Sequence, residues 1–246
     1  MHRIGIAAFA AIMLGGCATT ETVQFKTSNP QQQSIVRDGR PALVSRQKNT
    51  VVLVKPGPRE MQAGGRPVFV IGINNLGKAP VDFRVGDVVV NQMVAGQEYP
   101  MQVVTYETLA QEEKSRQVAA AILVGVAGAA NAYGASRAGH GSYTNSRGQH
   151  RSFYNPVASA IAQDRAAAQN EAMIAATIET GQQNMMALEQ EVLKDNTVMP
   201  REWIGGTLHL SPPTTPPSGN RKSYSIIITL GADRHVIDID QTPVGS

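Results

Sequence analysis

The stretch TYETLAQEEKSRQVAAAILVGVAGAANAY, residues 105–133, decides the fold, because the sequence pattern changes from strand to helix at its first residue. Thr105 or Thr108 can cap a helix, and Glu107 lies in the first turn, where a negative charge is favourable. No proline occurs between residue 106 and residue 136. We therefore predict one long helix over residues 106–136.

A second helix is predicted over residues 156–194. Asn155 suits the N-cap and Pro156 suits the first helical position. Residues 137–153, between the two helices, are rich in glycine, serine and asparagine, and we expect a loop there. The second helix has a stripe at alternating steps of three and four, which is typical of packing against a partner helix. The stripe consists of Val157, Ala160, Asp164, Ala167, Glu171, Ile174, Ile178, Gly181, Met185, Leu188 and Val192.

The segments on both sides of the helices have the pattern of β-strands. In residues 68–73 and 81–85, apolar side chains recur at every second position, as half-buried strands require. Residues 224–230 and 235–239 repeat this alternation around a turn at residues 231–233.

These patterns predict an α+β fold, an Ig-like antiparallel β-sandwich with a long inserted helical hairpin. Residues 35–104 and 197–246 would supply the sandwich, with both of its sheets taking strands from both segments. Residues 105–196 would form the inserted hairpin.

Small residues recur four apart in the first helix. The pairs are Gly125 with Ala129, Gly128 with Ala132, and Ala130 with Gly134. This row resembles the glycine-zipper segments of bacterial envelope proteins, and it removes side-chain bulk so that another helix can approach closely.

Three partners fit the row of small residues: the second helix of the same hairpin, another copy of the chain or an envelope protein, and a lipid bilayer. The apolar run from residue 118 to residue 130 is roughly 20 Å long, which is short of a full span, and Asn131 interrupts it. The length of this run still allows a shallow or partial insertion.

No Asp or Glu occurs from Lys114 to Gln163, and within this stretch Arg137, Arg147 and Arg151 would lie at or beside the tip of the hairpin. A cationic and apolar segment suits anionic lipid headgroups or an acidic partner. The alternative is that the arginines keep a glycine-rich loop soluble. The basic residues are too scattered to indicate a nucleic-acid partner.

Cys17 is the only cysteine and ends the run Leu14-Gly15-Gly16-Cys17, after a short basic start and an apolar stretch. Residues 1–16 have the pattern of a signal peptide. The run resembles the lipobox of bacterial lipoproteins, which implies cleavage after Gly16, acylation of Cys17 and insertion of its acyl chains among membrane lipids. An ordinary signal peptide with a chance cysteine is the alternative.

The polar residues 17–34 would then be a lipidated, flexible tether. Ala18 follows the cysteine, and by resemblance to enterobacterial lipoprotein sorting it implies the outer membrane, with the protein facing the periplasm. The single cysteine leaves no disulfide within the chain, although a periplasm would permit one.

The histidines show no catalytic or metal-ligand spacing. His140 and His150 are ten residues apart in the glycine-rich segment, and His235 has the parity of a core-facing structural residue. Asp238 and Asp240 share one strand face and are expected to be solvated. We predict no enzyme activity, no metal and no cofactor.

The sequence favours a non-catalytic envelope lipoprotein that acts as an anchored scaffold or as a subunit of an envelope assembly. The alternative is a membrane-active oligomer whose glycine-rich hairpin inserts into or lines a bilayer pore. A hydrolase of the cell wall is the third and weakest hypothesis.

Overall fold

The structure is a computed structural model that describes residues 20–94, 96–214 and 222–244. Within these ranges the chain has two long helices, α1 (Tyr106–Arg137) and α2 (Pro156–Glu191). Ten strands precede α1: β1 (Thr20–Lys26), β2 (Gln32–Arg37), β3 (Arg40–Arg46), β4 (Thr50–Pro56), β5 (Met61–Gln62), β6 (Val68–Asn75), β7 (Val81–Phe83), β8 (Val89–Val94), β9 (Gln97–Met101) and β10 (Val103–Val104). Six strands follow it: β11 (His140–Thr144), β12 (His150–Tyr154), β13 (Asn196–Val198), β14 (Trp203–Leu210), β15 (Lys222–Leu230) and β16 (Asp233–Pro243).

Twelve of these strands form two six-stranded antiparallel sheets. The first sheet has the order β5-β1-β16-β15-β8-β9, and the second has the order β10-β14-β6-β4-β3-β2. Strands from before and after the helices pair directly in both sheets, as the sequence predicts. In the second sheet Asn74 of β6 is aligned with Trp203 of β14, and in the first Val90 of β8 is aligned with Ile226 of β15.

One hydrophobic core draws on both sheets. In β4, β6 and β15 burial alternates residue by residue, because successive side chains of a strand point to opposite faces. The predicted inward residues Phe69, Ile71, Ile226 and Ile228 are among the most deeply buried side chains of this core. We call the two sheets with their shared core the body.

The helices α1 and α2 form an antiparallel pair, which we call the arm. The predicted caps are confirmed, since the Thr105 hydroxyl accepts a hydrogen bond from the Thr108 amide and the Asn155 side chain caps the first turn of α2. At 1.5 Å per residue, α1 is about 48 Å long.

Both ends of the arm join the body at β14. Val104, just before α1, is aligned with His209, and Val192, just after α2, bridges Thr207. Gly206 permits this close approach, because a Cβ atom there would lie 2.7 Å from the backbone nitrogen of Leu193. The chain thus leaves and re-enters the body at neighbouring positions.

The structure corrects the prediction of a flexible tether. The part of residues 17–34 that is described contains β1, which pairs with β16, and the start of β2, which pairs with β3. The polar composition concealed the alternation in β1, where Val23 enters the core and Phe25 packs against it. Two residues of β1, Glu21 and Val23, are buried.

The loop predicted over residues 137–153 is also wrong. Residues 140–144 and 150–154 pair as the antiparallel hairpin β11–β12, which we call the tip. Its glycines suggested a loop, but the ring of Phe153 covers Gly141 across the two strands. A Cβ atom at Gly141 would lie 2.3 Å from that ring, so glycine is required there within the hairpin.

Candidate functional site

Polar and small side chains form much of the contact between the two helices of the arm. The Asn131 side chain donates to the Asn170 side chain at 2.9 Å, and Asn170 in turn donates to the carbonyl of Gly128 at 3.2 Å. Nearer the body, Gln117 donates to the carbonyl of Gly181 at 3.0 Å. These hydrogen bonds cross from one helix to the other, so they fix the register of the arm.

Most of the large apolar side chains of α1 beyond its root are exposed rather than packed against α2. Val118, Ile122, Leu123 and Val126 are each more than 60% exposed. We call these four residues, with Tyr133, the outer stripe. Eighteen consecutive residues of α1 have a mean hydropathy of 1.6 and are only 6% buried, so by length and composition alone this helix is long and apolar enough to cross a membrane.

The predicted seam of α2 is correct near the body and wrong in the outer part of the arm. Val157, Ile174 and Ile178 were expected at the helix–helix interface, yet each is at least half exposed. The residues that face α1 instead lie one position away, and include Ser159, Ala166 and Asn170. The prediction assumed that apolar residues pack inside, whereas here small and polar ones do.

The row of small residues in α1 is mostly not part of the arm's interior. Of the predicted helix-packing residues, Gly128 faces α2, where a Cβ atom would lie 3.4 Å from Asn170. Gly125, Ala129, Ala132 and Gly134 are exposed. Packing on the second helix of the same hairpin therefore does not explain these four residues.

Asn131 interrupts the apolar run in the sequence but not on the outer face of α1. Its side chain is turned inward and hydrogen-bonded to Asn170. The stretch from Val118 to Ala135 has no charged residue and is about 27 Å long, close to the ~30 Å of a bilayer hydrocarbon core. The outer face of α1 is therefore apolar beyond the 13 residues that the sequence suggested.

The outer surface of α2 differs from that of α1 because it carries charge. Asp164, Arg165, Glu171 and Glu179 are all exposed, and they lie alongside the uncharged stretch of α1. The arm is thus apolar along α1 and mixed in character along α2.

The tip carries aromatic and cationic side chains. Tyr143, Phe153 and Tyr154 are each more than half exposed, and the ring centroids of Tyr143 and Phe153 lie 6.4 Å apart.

The predicted arginines at the end of the arm are all exposed. The Arg137 guanidinium lies 4.6 Å from the centroid of the Tyr133 ring. Arg147 lies in the turn between β11 and β12, and Arg151 lies on β12. The structure therefore brings the three arginines to the end of the arm, together with the aromatic side chains.

The root of the arm is fixed to the body by charged side chains. Arg66 donates twice to the carboxylate of Glu112, at 2.7 and 2.8 Å. This hydrogen bonding lowers the pKa of Glu112 and raises that of Arg66. Next to it, the buried carboxylate of Glu113 accepts from Asn184 of α2 at 3.0 Å.

A groove of about 740 Å³ lies between the root of the arm and the outer face of the second sheet. Its charged lining includes Arg40, Lys55, Arg116, Glu113 and Glu191. The charges are of both signs, so the groove shows no single electrostatic preference.

A buried polar network in the body includes residues that sequence reasoning missed. His235 contacts the Ser45 hydroxyl at 2.9 Å and the Thr50 hydroxyl at 2.8 Å, and Thr50 also donates to Asp233 at 2.8 Å. Ser45 and His235 are both 0% exposed, so no substrate reaches them. Burial lowers the pKa of His235 to about 4, and the neutral ring is a structural element, as predicted.

A second buried network links three strands of the first sheet. Lys222 of β15 donates to both carboxylate oxygens of Glu21 in β1, at 2.8 and 2.9 Å. Gln241 of β16, between them, donates to the same carboxylate at 2.7 Å. The neighbouring Tyr224 hydroxyl is buried, and burial together with the Glu21 charge raises its pKa. The sequence pattern did not indicate that Glu21, Lys222 and Gln241 are buried.

The two histidines of the tip lie at opposite ends of its strands. His140 is aligned with Tyr154, and their ring centroids lie 4.7 Å apart, whereas His150 is aligned with Thr144 and contacts its hydroxyl. Among the residues that the structure describes, no group of three or more His, Cys, Asp or Glu side chains has the geometry of a metal site.

Cys17 and the predicted signal peptide, residues 1–16, lie outside the described residues. The nearest described residue is Thr20, which is aligned with Gln62 of β5. Four residues further on, Arg66 contacts α1. The start of the described chain is therefore close to the root of the arm.

No protein-family model matches the chain, and comparisons with curated proteins and with solved structures found no match. The arm, its tip and the lipobox-like segment are thus the features from which a function is inferred.

Proposed function

We propose that this chain is a non-catalytic envelope lipoprotein that acts as an anchored scaffold or as a subunit of an envelope assembly. Its anchor is an acylated Cys17 in the bacterial outer membrane, with the protein facing the periplasm. The body is an Ig-like β-sandwich, a proposal supported by the core that the two sheets share. The arm is the binding surface.

The distribution of polarity in the arm is the observation that carries this proposal. Hydrogen bonds lie between the helices, and the large apolar side chains of the outer stripe lie outside. A large apolar surface exposed to water is unfavourable, and such surfaces are typical of protein or membrane contacts. The described part of the body leaves this surface uncovered, and the partner that we propose for it is another molecule.

The anchor is tested with Cys17→Ser expressed in the native host. We expect the unlipidated protein to leave the membrane fraction. If the variant still sediments quantitatively with membranes at high salt, Cys17 is not the main attachment and the arm anchors the protein.

The binding role is tested by affinity purification from detergent-solubilised envelopes. The double variant Ile122→Gln and Val126→Gln should lose the co-purifying envelope proteins, or further copies of the chain, that the wild type retains. Val36→Gln with Val89→Gln is the matched control, because both residues are exposed valines of the body. Identical recoveries from the two double variants would contradict protein binding by the arm and leave lipid as the remaining partner of the outer stripe.

A membrane-active oligomer is a second candidate, favoured by the length and hydropathy of the uncharged face of α1. In that case the hairpin of several copies inserts into or lines a bilayer pore. Release of a trapped dye from vesicles by the soluble form, rising steeply with protein concentration, would support it. Tight vesicle binding without dye release contradicts it.

A further inference from the structure

We infer that the arm lies flat in the interface of an anionic lipid bilayer, with α1 toward the hydrocarbon and α2 toward water. This inference deepens the proposed function by naming the partner of the arm. It does not depend on the lipid anchor, so the soluble form of the chain is sufficient to test it.

The difference between the two helices sets the orientation. The face of α1 that lies opposite α2 is apolar from Val118 to Tyr133. The exposed surface of α2 alongside it also has apolar side chains, such as Ile174 and Ile178, but it is the more polar side because it carries Asp164, Arg165 and Glu171. An amphipathic element with one apolar and one charged side lies in the membrane interface with its apolar side buried.

The same charges argue against a transbilayer position for a single arm. Inter-helix contacts at Gln117 and at Asn131 align the two helices, so the charged part of α2 runs beside the uncharged part of α1. If α1 crossed the hydrocarbon, the charges of α2 would cross with it. Proteins avoid charged side chains that face lipid at this depth. In the flat position these side chains remain in water.

The tip and the charge distribution favour anionic lipid over another copy of the chain. No acidic residue lies between Lys114 and Gln163, whereas the tip holds Arg147 and Arg151, with Arg137 beside it. Two such tips repel each other, but anionic headgroups attract both. Exposed aromatic rings next to cationic side chains are also the composition of membrane–water interfaces.

The position of the chain start is compatible with this arrangement. Thr20 of β1 is aligned with Gln62, and the nearby Arg66 contacts the second turn of α1. An anchor three residues before Thr20 would hold the root of the arm close to the membrane surface. The arm could then bind the membrane that holds the anchor.

The chain's single cysteine makes a direct test possible. A soluble form that starts after Cys17 has no thiol, so one cysteine can be introduced and labelled with the environment-sensitive fluorophore NBD. Ile122→Cys and Val126→Cys report on the outer stripe, Ala168→Cys on the exposed surface of α2, and Val36→Cys on the body. Vesicles contain either phosphatidylcholine alone or an equal mixture with phosphatidylglycerol.

We expect a blue shift and a rise in NBD emission at residues 122 and 126 with phosphatidylglycerol vesicles, and little change at residues 168 and 36. Binding should fall at high salt. Near an anionic surface each arginine contributes roughly a five-fold gain in affinity, so Arg137→Gln, Arg147→Gln and Arg151→Gln together should weaken binding by more than ten-fold at low salt. The matched control, Arg37→Gln with Arg59→Gln and Arg84→Gln, removes the same charge from the body and should have a smaller effect.

Three outcomes would overturn the inference. The first is an absence of change at residue 122 with anionic vesicles. The second is an equal blue shift at residues 122 and 168 together with dye release, which indicates a spanning oligomer. The third is a blue shift without vesicles that grows with protein concentration, which indicates that a second copy covers the stripe. The Cys17→Ser fractionation is independent of all three.

Discussion

Breaking the buried ion pair between Glu21 and Lys222 should strongly destabilise the body. Both side chains are almost completely buried, and the pair joins β1 to β15 across β16. In Lys222→Met, the Glu21 carboxylate keeps only the hydrogen bond from Gln241. Removal of one partner of a buried pair leaves an uncompensated charge and costs about 3–5 kcal/mol. We expect a loss of that size in the free energy of unfolding.

Removing both charges should cost much less. In the double variant Glu21→Met with Lys222→Met no buried charge remains, and such replacements are neutral or stabilise by about 1–4 kcal/mol. Gln241 opposes this gain, because its side-chain nitrogen loses its acceptor while its side-chain oxygen already has no hydrogen-bond partner among the described residues. An unsatisfied buried group costs about 1–3 kcal/mol. The two terms nearly cancel, so the double variant should lie within about 2 kcal/mol of the wild type.

The assay is equilibrium urea denaturation of the soluble form at pH 7, followed by far-UV circular dichroism. The double-mutant cycle then gives the coupling between the two charges. A loss below about 1 kcal/mol for Lys222→Met would show that Glu21 is solvated and would refute the reasoning. A double variant as unstable as the single variant would also refute it, because packing rather than charge would then be responsible.

The remaining predictions concern the second buried network, the arm and the core. The pKa of His235 is about 4 in the folded protein and ~6.5 when unfolded, so its contribution to stability is complete above pH 6.5 and falls as the pH drops toward 4. About 2 kcal/mol should be lost by pH 5, and urea titrations of His235→Gln should show a flatter pH dependence. An unchanged slope would exclude His235 as the cause. Gly128→Leu should lower the free energy of unfolding by roughly 1–3 kcal/mol through overpacking against Asn170, whereas Gly125→Leu, which meets open space, should not. Equal melting of the two variants would show that Gly128 is not at a helix–helix contact. Ile228→Ala should cost about 2–5 kcal/mol in the same urea assay, because Ile228 is buried in the core, and a cost under 1 kcal/mol would contradict its position there.

The sequence predicts the elements whose periodicity is strong and whose ends carry clear signals. The alternation in residues 68–73 and 224–230 matches β6 and β15, and the Asn155-Pro156 cap matches the start of α2. Pairing between distant strands is also predictable, because strands with one apolar face need partners to bury it.

Two features were hidden because their composition is polar. In β1 the buried Glu21 is neutralised by a lysine that is some 200 residues away, which no local pattern reveals. In the arm, Asn131 and Asn170 form a hydrogen bond across the interface, and the large apolar side chains of the outer stripe of α1 lie outside it. The seam that hydrophobicity alone predicts for α2 therefore differs by one position from the residues that face α1 in the outer part of the arm. Arg137, Arg147 and Arg151 were correctly expected at the end of the arm, since two antiparallel helices bring their connection there.

The neighbouring attachment points of the arm on β14 have a kinetic consequence for folding. Pairing of β6 with β14 must close a chain segment of about 130 residues, from Asn74 to Trp203. Helical hairpins have local contacts and form quickly, and a preformed arm removes most of that segment from the loop. By loop-closure entropy, an effective loop one third as long is easier to close by about 1 kcal/mol, or roughly five-fold in rate if β6 and β14 pair in the transition state. Variants that loosen the arm should therefore slow refolding of the body about five-fold and leave its unfolding rate nearly unchanged. The arm thus speeds the pairing of β6 with β14, although it contacts the body mainly at its root.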